Sequence, residues 1–382
     1  MALSNTNATI MVVGDRGSRN KPGKVMVYRK DQYGFNPLGQ TIYGHEHVDG
    51  DYFGHSVDIT SDGTTIICGS PGYPATNFNV TGHVRAFKLD IGTETWKQIG
   101  QNITGEGVGD EFGWSVSISD DGKMIAVGAY RNDGNNGEDS GHVRIYRLDD
   151  DDDRWEKIGD DIEGSAIDHH FGKAVSLSGD GKTVAIGAPK AGRYDKMSGQ
   201  VTIYRIDSTG SKQLGESIEG DNFGDFFGSS VDISFDGSIV AIGSHGFYEV
   251  PGYVRVFSLE SDDTLSNGNW KWKQMSKTIT RGAIGDYFGT SVSLSNDGKI
   301  LAVGAPGNIN KGDYPGHVRV YRMIDPNSDW MQLGEEIDGE NSDESGWSVS
   351  LSGDGNMVAI GSLNYKSDNG ELAGRVRVLK VE

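Results

Sequence analysis

A unit of about 59 residues recurring through the chain, a Gly-x-Val marker present in seven copies, and period-two alternation without a helical period together predict an all-β fold. The expected form is a seven-bladed β-propeller of four-stranded antiparallel blades, with irregular first and last blades. The repeat is anchored by a glycine after phenylalanine at Phe53-Gly54, Phe112-Gly113, Phe171-Gly172, Phe227-Gly228 and Phe288-Gly289, with Ser345-Gly346 as a degenerate copy. The Gly-x-Val marker falls at Gly23, Gly82, Gly141, Gly199, Gly252, Gly316 and Gly374. One propeller domain over 1–382 is expected, with blades near 1–50, 51–109, 110–168, 169–224, 225–285, 286–342 and 343–382.

Each blade reads as four strands, a to d. Strand a follows the anchoring glycine and alternates, as in Ser115-Val116-Ser117-Ile118-Ser119, so its apolar residues share one side. It ends in an Asp-Gly turn, as at Asp121-Gly122, a pair suited to the positive φ values of tight hairpins. Strand b is continuously apolar, as in Met124-Ile125-Ala126-Val127-Gly128-Ala129, which fits burial on both faces. Strand c alternates, as in Gly316-His317-Val318-Arg319-Val320-Tyr321-Arg322, and predicts one packed face and one wetter face. Strand d opens with an aromatic in most copies and runs to an Ile-Gly or Leu-Gly pair and beyond, as in Trp96 to Ile103, Trp155 to Ile162 and Trp330 to Ile337. At the ends, Ala2-Leu3-Ser4 matches only the close of a strand a, and the last copy stops without a strand d.

Composition narrows the classes of partner. The 57 glycines against 9 prolines indicate many tight turns in an ordered chain. A formal charge of −20 disfavours nucleic acid and anionic membrane surfaces, and favours cationic partners and divalent metals. The single cysteine, Cys68, excludes an intrachain disulfide and a cysteine-based zinc site. No apolar run approaches the roughly 20 residues of a membrane span, and residues 1–14 lack the pattern of a signal peptide. A monomer without membrane insertion is expected.

Phe-Gly before strand a, with Gly-Ala-Pro closing strand b at Gly187-Ala188-Pro189 and Gly304-Ala305-Pro306, resembles the FG-GAP repeat of the integrin α-subunit propeller. Looser copies stand at Gly69-Ser70-Pro71, Gly128-Ala129-Tyr130, Gly243-Ser244-His245 and Gly361-Ser362-Leu363. The resemblance implies that these segments hold successive blades together and that ligands dock on the face carrying the loops between blades. It also implies binding and adhesion roles outside the cell or at its surface. Integrin-type calcium loops place spaced carboxylates at the a–b hairpin; here Ser119-Asp120-Asp121-Gly122 offers too few oxygens for calcium.

Antiparallel order places the b–c and d–a loops on one face. Aromatic and polar residues there make Tyr73, Arg131, Asp133, Arg193, Tyr194, His245, Tyr248, Tyr314 and Tyr365 the candidate ligand-binding set, by stacking area and directional hydrogen bonds. Within one b–c loop Asp133, Asn135, Glu138 and Asp139 are weak candidates for Ca2+. Asp51, Asp110, Asp225, Asp286 and Asp343 stand two residues before the phenylalanine position, where capping of backbone N–H groups is the expected role. His55, Trp114, Lys173, Ser229, Thr290 and Trp347 follow the anchoring glycine. The leading expectation is a non-enzymatic scaffold that recognises a protein or glycan. The alternatives are a lyase or hydrolase using His55, His169 and His170 at a channel mouth, and an architectural module of a longer repeat protein.

Overall fold

The computed structural model describes the chain except residues 5–8, 18–22, 45–49, 73–80, 193–196, 247–249, 263–268, 281–283, 308–314, 326–327, 341, 367–372 and 382. The described residues form seven antiparallel sheets, the blades of a β-propeller, and no helix. Two compact units share them: 1–184 with 206–211, and 185–205 with 212–382. Blade one has a short inner strand, Ala2–Leu3, paired with Ile10–Asp15, at the place where the sequence matches only the close of a strand a. The last sheet has three strands, Ser345–Leu351, Met357–Ser362 and Arg375–Lys380.

Blade three illustrates the unit. Strands a (Ser115–Ile118), b (Met124–Ala129) and c (His142–Asp149) pair in sequence order, and strand d is split into Arg154–Lys157 and Ile162–Glu163, both paired with c. The break falls at Gly159, whose φ is 65°. In the a–b turn only Gly122 has positive φ, at 72°, and its N–H donates to the Ser119 carbonyl at 2.9 Å. Asp121 serves the turn through its carboxylate, which accepts the Ser119 hydroxyl at 2.6 Å and the Lys123 N–H at 2.9 Å, while Ser119 Oγ accepts the Met124 N–H at 3.0 Å. Ser178-Asp180 and Ser295-Asp297 repeat the device. The carboxylate is thus committed to the hairpin. Asp121→Ala is expected to cost about 1 kcal/mol, read from the midpoint of urea unfolding.

The two glycine columns that mark the repeat are seams between neighbouring blades. A Cβ on Gly128 of strand b would lie 2.1 Å from the carbonyl oxygen of Gly172, and one on Gly141 of strand c would lie 2.1 Å from that of Phe171. The Phe-Gly of each blade therefore lies directly on the backbone of the preceding one, closer than any side chain permits. Ser115 Oγ strengthens the seam by donating to the Gly172 carbonyl at 2.8 Å. Phe53, Phe112, Phe227 and Phe288 are fully buried in these seams.

Strand c departs from the expected wet face. Arg85, Arg255 and Arg319 are 9%, 8% and 5% exposed, and His317 is 1% exposed, because sheets flanked on both sides leave strand c little open surface. Two of the arginines combine a hydrogen bond with ring stacking: Arg85 donates to the Tyr43 carbonyl at 2.8 Å and stacks over Phe53 at 4.1 Å, and Arg255 donates to the Glu219 carbonyl at 2.6 Å over Phe227 at 4.2 Å. Planar guanidinium groups suit this combination of stacking and directed donation. The Ile-Gly and Leu-Gly pairs of strand d form a third seam. Trp96 donates its indole N–H to the Leu38 carbonyl at 2.9 Å, and a Cβ on Gly39 would lie 2.8 Å from the Trp96 ring.

Candidate functional site

The residue after each anchoring glycine occupies the same place in its blade, so His55, Trp114 and Lys173 from three consecutive blades come side by side in the first unit. Each is set by a tight turn, in which the Trp114 N–H donates to the Glu111 carbonyl at 3.0 Å and the Lys173 N–H to that of His170 at 3.2 Å. Glu111 and His170 take left-handed backbone, with φ of 57° and 56°. Tyr52, Phe226, Tyr287 and Glu344 take the same conformation at the same place in the other copies, so it belongs to the repeat.

The rings form a continuous series. His55 lies 4.2 Å from Trp114, Trp114 lies 4.8 Å from Tyr130 edge-to-face, and Tyr130 lies 4.9 Å from His170, all between centroids. The Lys173 ammonium sits 3.6 Å from the Trp114 centroid and 3.8 Å from that of Tyr130, a cation held against two π faces. Arg131 donates from Nε to the Tyr130 hydroxyl at 3.0 Å and pairs with Glu111 at 3.4 Å. Burial, followed by the charges of Arg16 and Lys173, pulls the His55 imidazole down to about 3, so it is neutral at physiological pH. Burial raises the Glu111 carboxyl against the opposing pull of its hydrogen bond to Tyr130 and of Arg131. Burial and then the neighbouring Glu111 raise the Tyr130 phenol.

The three histidines singled out for an enzyme are distributed along this wall. His55 and His170 are linked through the Trp114 and Tyr130 rings, while His169 Nδ1 lies 3.1 Å from Ser165 Oγ. His170 Nε2 instead faces two carboxylates, Asp168 at 3.0 Å and Asp139 at 3.8 Å. Of the loop residues considered for calcium, Asp133 accepts the Asp139 N–H at 2.9 Å and Asn135 donates to Glu163 at 2.6 Å. The Glu138 carbonyl accepts the Asp168 N–H at 2.9 Å. Asp139 therefore joins His170 and Asp168, whereas the other three hold the loop.

The five aspartates before the phenylalanine position are buried, and Asp110, Asp225 and Asp343 cap backbone N–H groups. Asp110 accepts the Gly107 N–H at 3.0 Å and the Asn132 amide at 2.7 Å; Asp225 accepts the Asp221 and Asn222 N–H groups at 3.1 and 2.9 Å. A second His-carboxylate group, Glu106, His142 and Asp161, encloses Arg144, which donates to Asp161 at 2.7 Å and to Glu106 at 2.5 Å. Elsewhere His245 stacks on Phe226 at 5.4 Å and Tyr365 lies under the Arg375 guanidinium at 4.2 Å, both in the second unit. Tyr73, Arg193, Tyr194, Tyr248 and Tyr314 lie outside the described residues.

Tyr130, Glu111 and Asp168 were not among the candidates. Tyr130 replaces the proline of Gly-Ala-Pro, and its signal is that departure from its own repeat.

Residues 105–146 and 272–321 match the FG-GAP repeat family. No curated protein matches the chain. Among solved structures, the chain is similar to a putative 6-phosphogluconolactonase from Bacteroides uniformis, at 12% identity and a TM-score of 0.55, covering 98% of this chain and 96% of that one. It is also similar to a periplasmic gluconolactonase of Pseudomonas aeruginosa, at 16% identity and a TM-score of 0.57, covering 98% and 99%. At these identities the likeness is one of fold.

Proposed function

For a chain that carries FG-GAP repeats in a seven-bladed β-propeller, we propose a binding function: recognition of a glycan bearing acidic groups at the Trp114, Tyr130, Lys173 and Arg131 cluster. The observation that carries it is the Lys173 ammonium against Trp114 and Tyr130, flanked by His55. The half-buried Trp114 ring supplies apolar area for a sugar, the buried Tyr130 ring helps hold the lysine in place, and the ammonium supplies a point charge for a carboxylate or sulfate. In a chain of charge −20 the long-range field opposes acidic ligands, so Lys173 and Arg131 would act on them at short range. Rigid seams beneath the loops keep these side chains preorganised, which reduces the ordering cost of binding.

The test is a glycan array probed with the full chain, followed by titration of the best ligand. Trp114→Ala and Lys173→Ala are each expected to weaken binding about tenfold or more, with unchanged far-UV circular dichroism. Undiminished binding by both variants, or preference for neutral glycans, would defeat the reading.

A second reading, hydrolysis of a sugar lactone, takes its motivation from the names of the two structural neighbours and from Glu111, a buried carboxyl whose affinity for a proton is raised by its burial. An imidazole held near 3 makes His55 too weak a base for neutral pH, so Glu111 would carry the proton transfer. Glucono-lactone turnover above the solvent rate that disappears in Glu111→Gln would favour this reading.

A further inference from the structure

We propose that Asp139, Asp168 and His170 form a site for one divalent first-row transition ion, Zn2+ or Mn2+, on the loop face of the first unit. One ligand atom from each lies within 4.8 Å of the others. His170 Nε2 is already 3.0 Å from Asp168 Oδ1 and 3.8 Å from Asp139 Oδ2. Ligands bound at roughly 2.0–2.2 Å stand about 3 to 3.5 Å apart around a tetrahedral or octahedral ion, so small side-chain rotations complete the geometry. A mixed nitrogen and carboxylate set suits a borderline ion better than calcium, which prefers an all-oxygen shell. His170 is 7% exposed and Asp168 lies open to solvent, which gives a fixed floor and an entry side.

The backbone under the three ligands is a clasp between the b–c loop of blade three and the loop that leads into blade four. The His170 N–H donates to the Asp139 carbonyl at 3.2 Å, the Phe171 N–H to that of Ser140 at 3.1 Å, and the Asn136 amide to that of Gly164 at 2.7 Å. The next copy of the repeat builds the same clasp, with the Phe226 N–H donating to the Met197 carbonyl at 3.2 Å. There the ligand positions hold Met197, Gly224 and Phe226. The clasp therefore does not require acids or an imidazole.

The Asp168 position holds glycine in four other copies, Gly50, Gly109, Gly224 and Gly285, each at positive φ. Asp168 keeps that left-handed backbone, at 56°, without glycine's freedom. The next residue, His169, replaces the capping aspartate found in the other five copies. This copy thus gives up two features that stabilise its siblings, and in exchange places two carboxylates around one imidazole nitrogen. Local rules broken together in one copy are the mark of a functional demand.

The inference stands independently of the glycan reading. The full chain, stripped with a chelator, is titrated calorimetrically with ZnCl2, MnCl2 and CaCl2. One equivalent of Zn2+ or Mn2+ is expected to bind, more tightly than Ca2+. Asp168→Asn and His170→Phe, the latter adopting the aromatic of the next copy, should each weaken binding about 100-fold or more, and Glu106→Gln should leave it unchanged. Absence of saturable binding below about 1 mM, or binding that survives Asp168→Asn and His170→Phe, overturns the site.

Discussion

Gly128→Ala is expected to destabilise the protein by about 3 kcal/mol or more. The new Cβ would fall 2.1 Å from the Gly172 carbonyl oxygen and 2.4 Å from Ser115 Oγ. The serine could rotate away only by giving up its 2.8 Å hydrogen bond to that same carbonyl. The carbonyl belongs to backbone held by Phe171 in the seam, so relief requires one blade to move from the next. Gly92→Ala, where the nearest atom is Asp90 Oδ1 at 3.4 Å, is the control and should stay within about 0.5 kcal/mol. Urea unfolding of the two variants decides the matter: equal midpoints would show that the seam tolerates separation and that the glycine column has another cause.

Arg144→Met is expected to cost about 2–3 kcal/mol at neutral pH and to flatten the acid limb of the stability curve. Arg144 approaches Asp161 through Nε at 3.0 Å and Nη2 at 2.7 Å, and reaches Glu106 through Nη2. Burial alone would push the Asp161 carboxyl up; the hydrogen bonds from Arg144 and Lys157 outweigh it and hold the group at about 2, below its ordinary 3.8. A carboxyl depressed in the folded state contributes stability that is present above about 4 and lost as pH falls toward 2. The wild type should therefore lose about 1–2 kcal/mol from this group between pH 5 and pH 2, while the variant, whose Asp161 lacks its main partner, loses less. Unfolding free energies measured across that range should converge on acidification. Parallel curves would show that the fork makes no pH-dependent contribution, and coincident curves that it carries no net stability.

Much of the fold was legible because each blade repeats the same local requirements. Gly122 and its equivalents mark a positive φ, Gly128 and Gly141 mark contact with a neighbouring backbone, and both needs write one residue type at one place in copy after copy. Burial of Arg85, Arg255 and Arg319 was not legible, since alternation along strand c reports one strand and says nothing of the sheet that covers its second face. The split of strand d falls at Gly159-Asp160-Asp161, a run that interrupts the apolar residues between Ile158 and Ile162.

The candidate site divides along the same line. By itself the sequence determined the all-β class, seven blades, the turn chemistry and the equivalence in register of His55, Trp114 and Lys173, because these follow from short-range backbone geometry repeated at a nearly constant interval. Only the tertiary structure decided that Trp114 and Lys173 meet at Tyr130 with His55 against Trp114, and that Asp139 joins Asp168 and His170 rather than Asp133 and Asn135. Such juxtapositions join residues roughly 30 to 60 apart through the stacking of one sheet on the next, and spacing along a single chain carries no term for that packing.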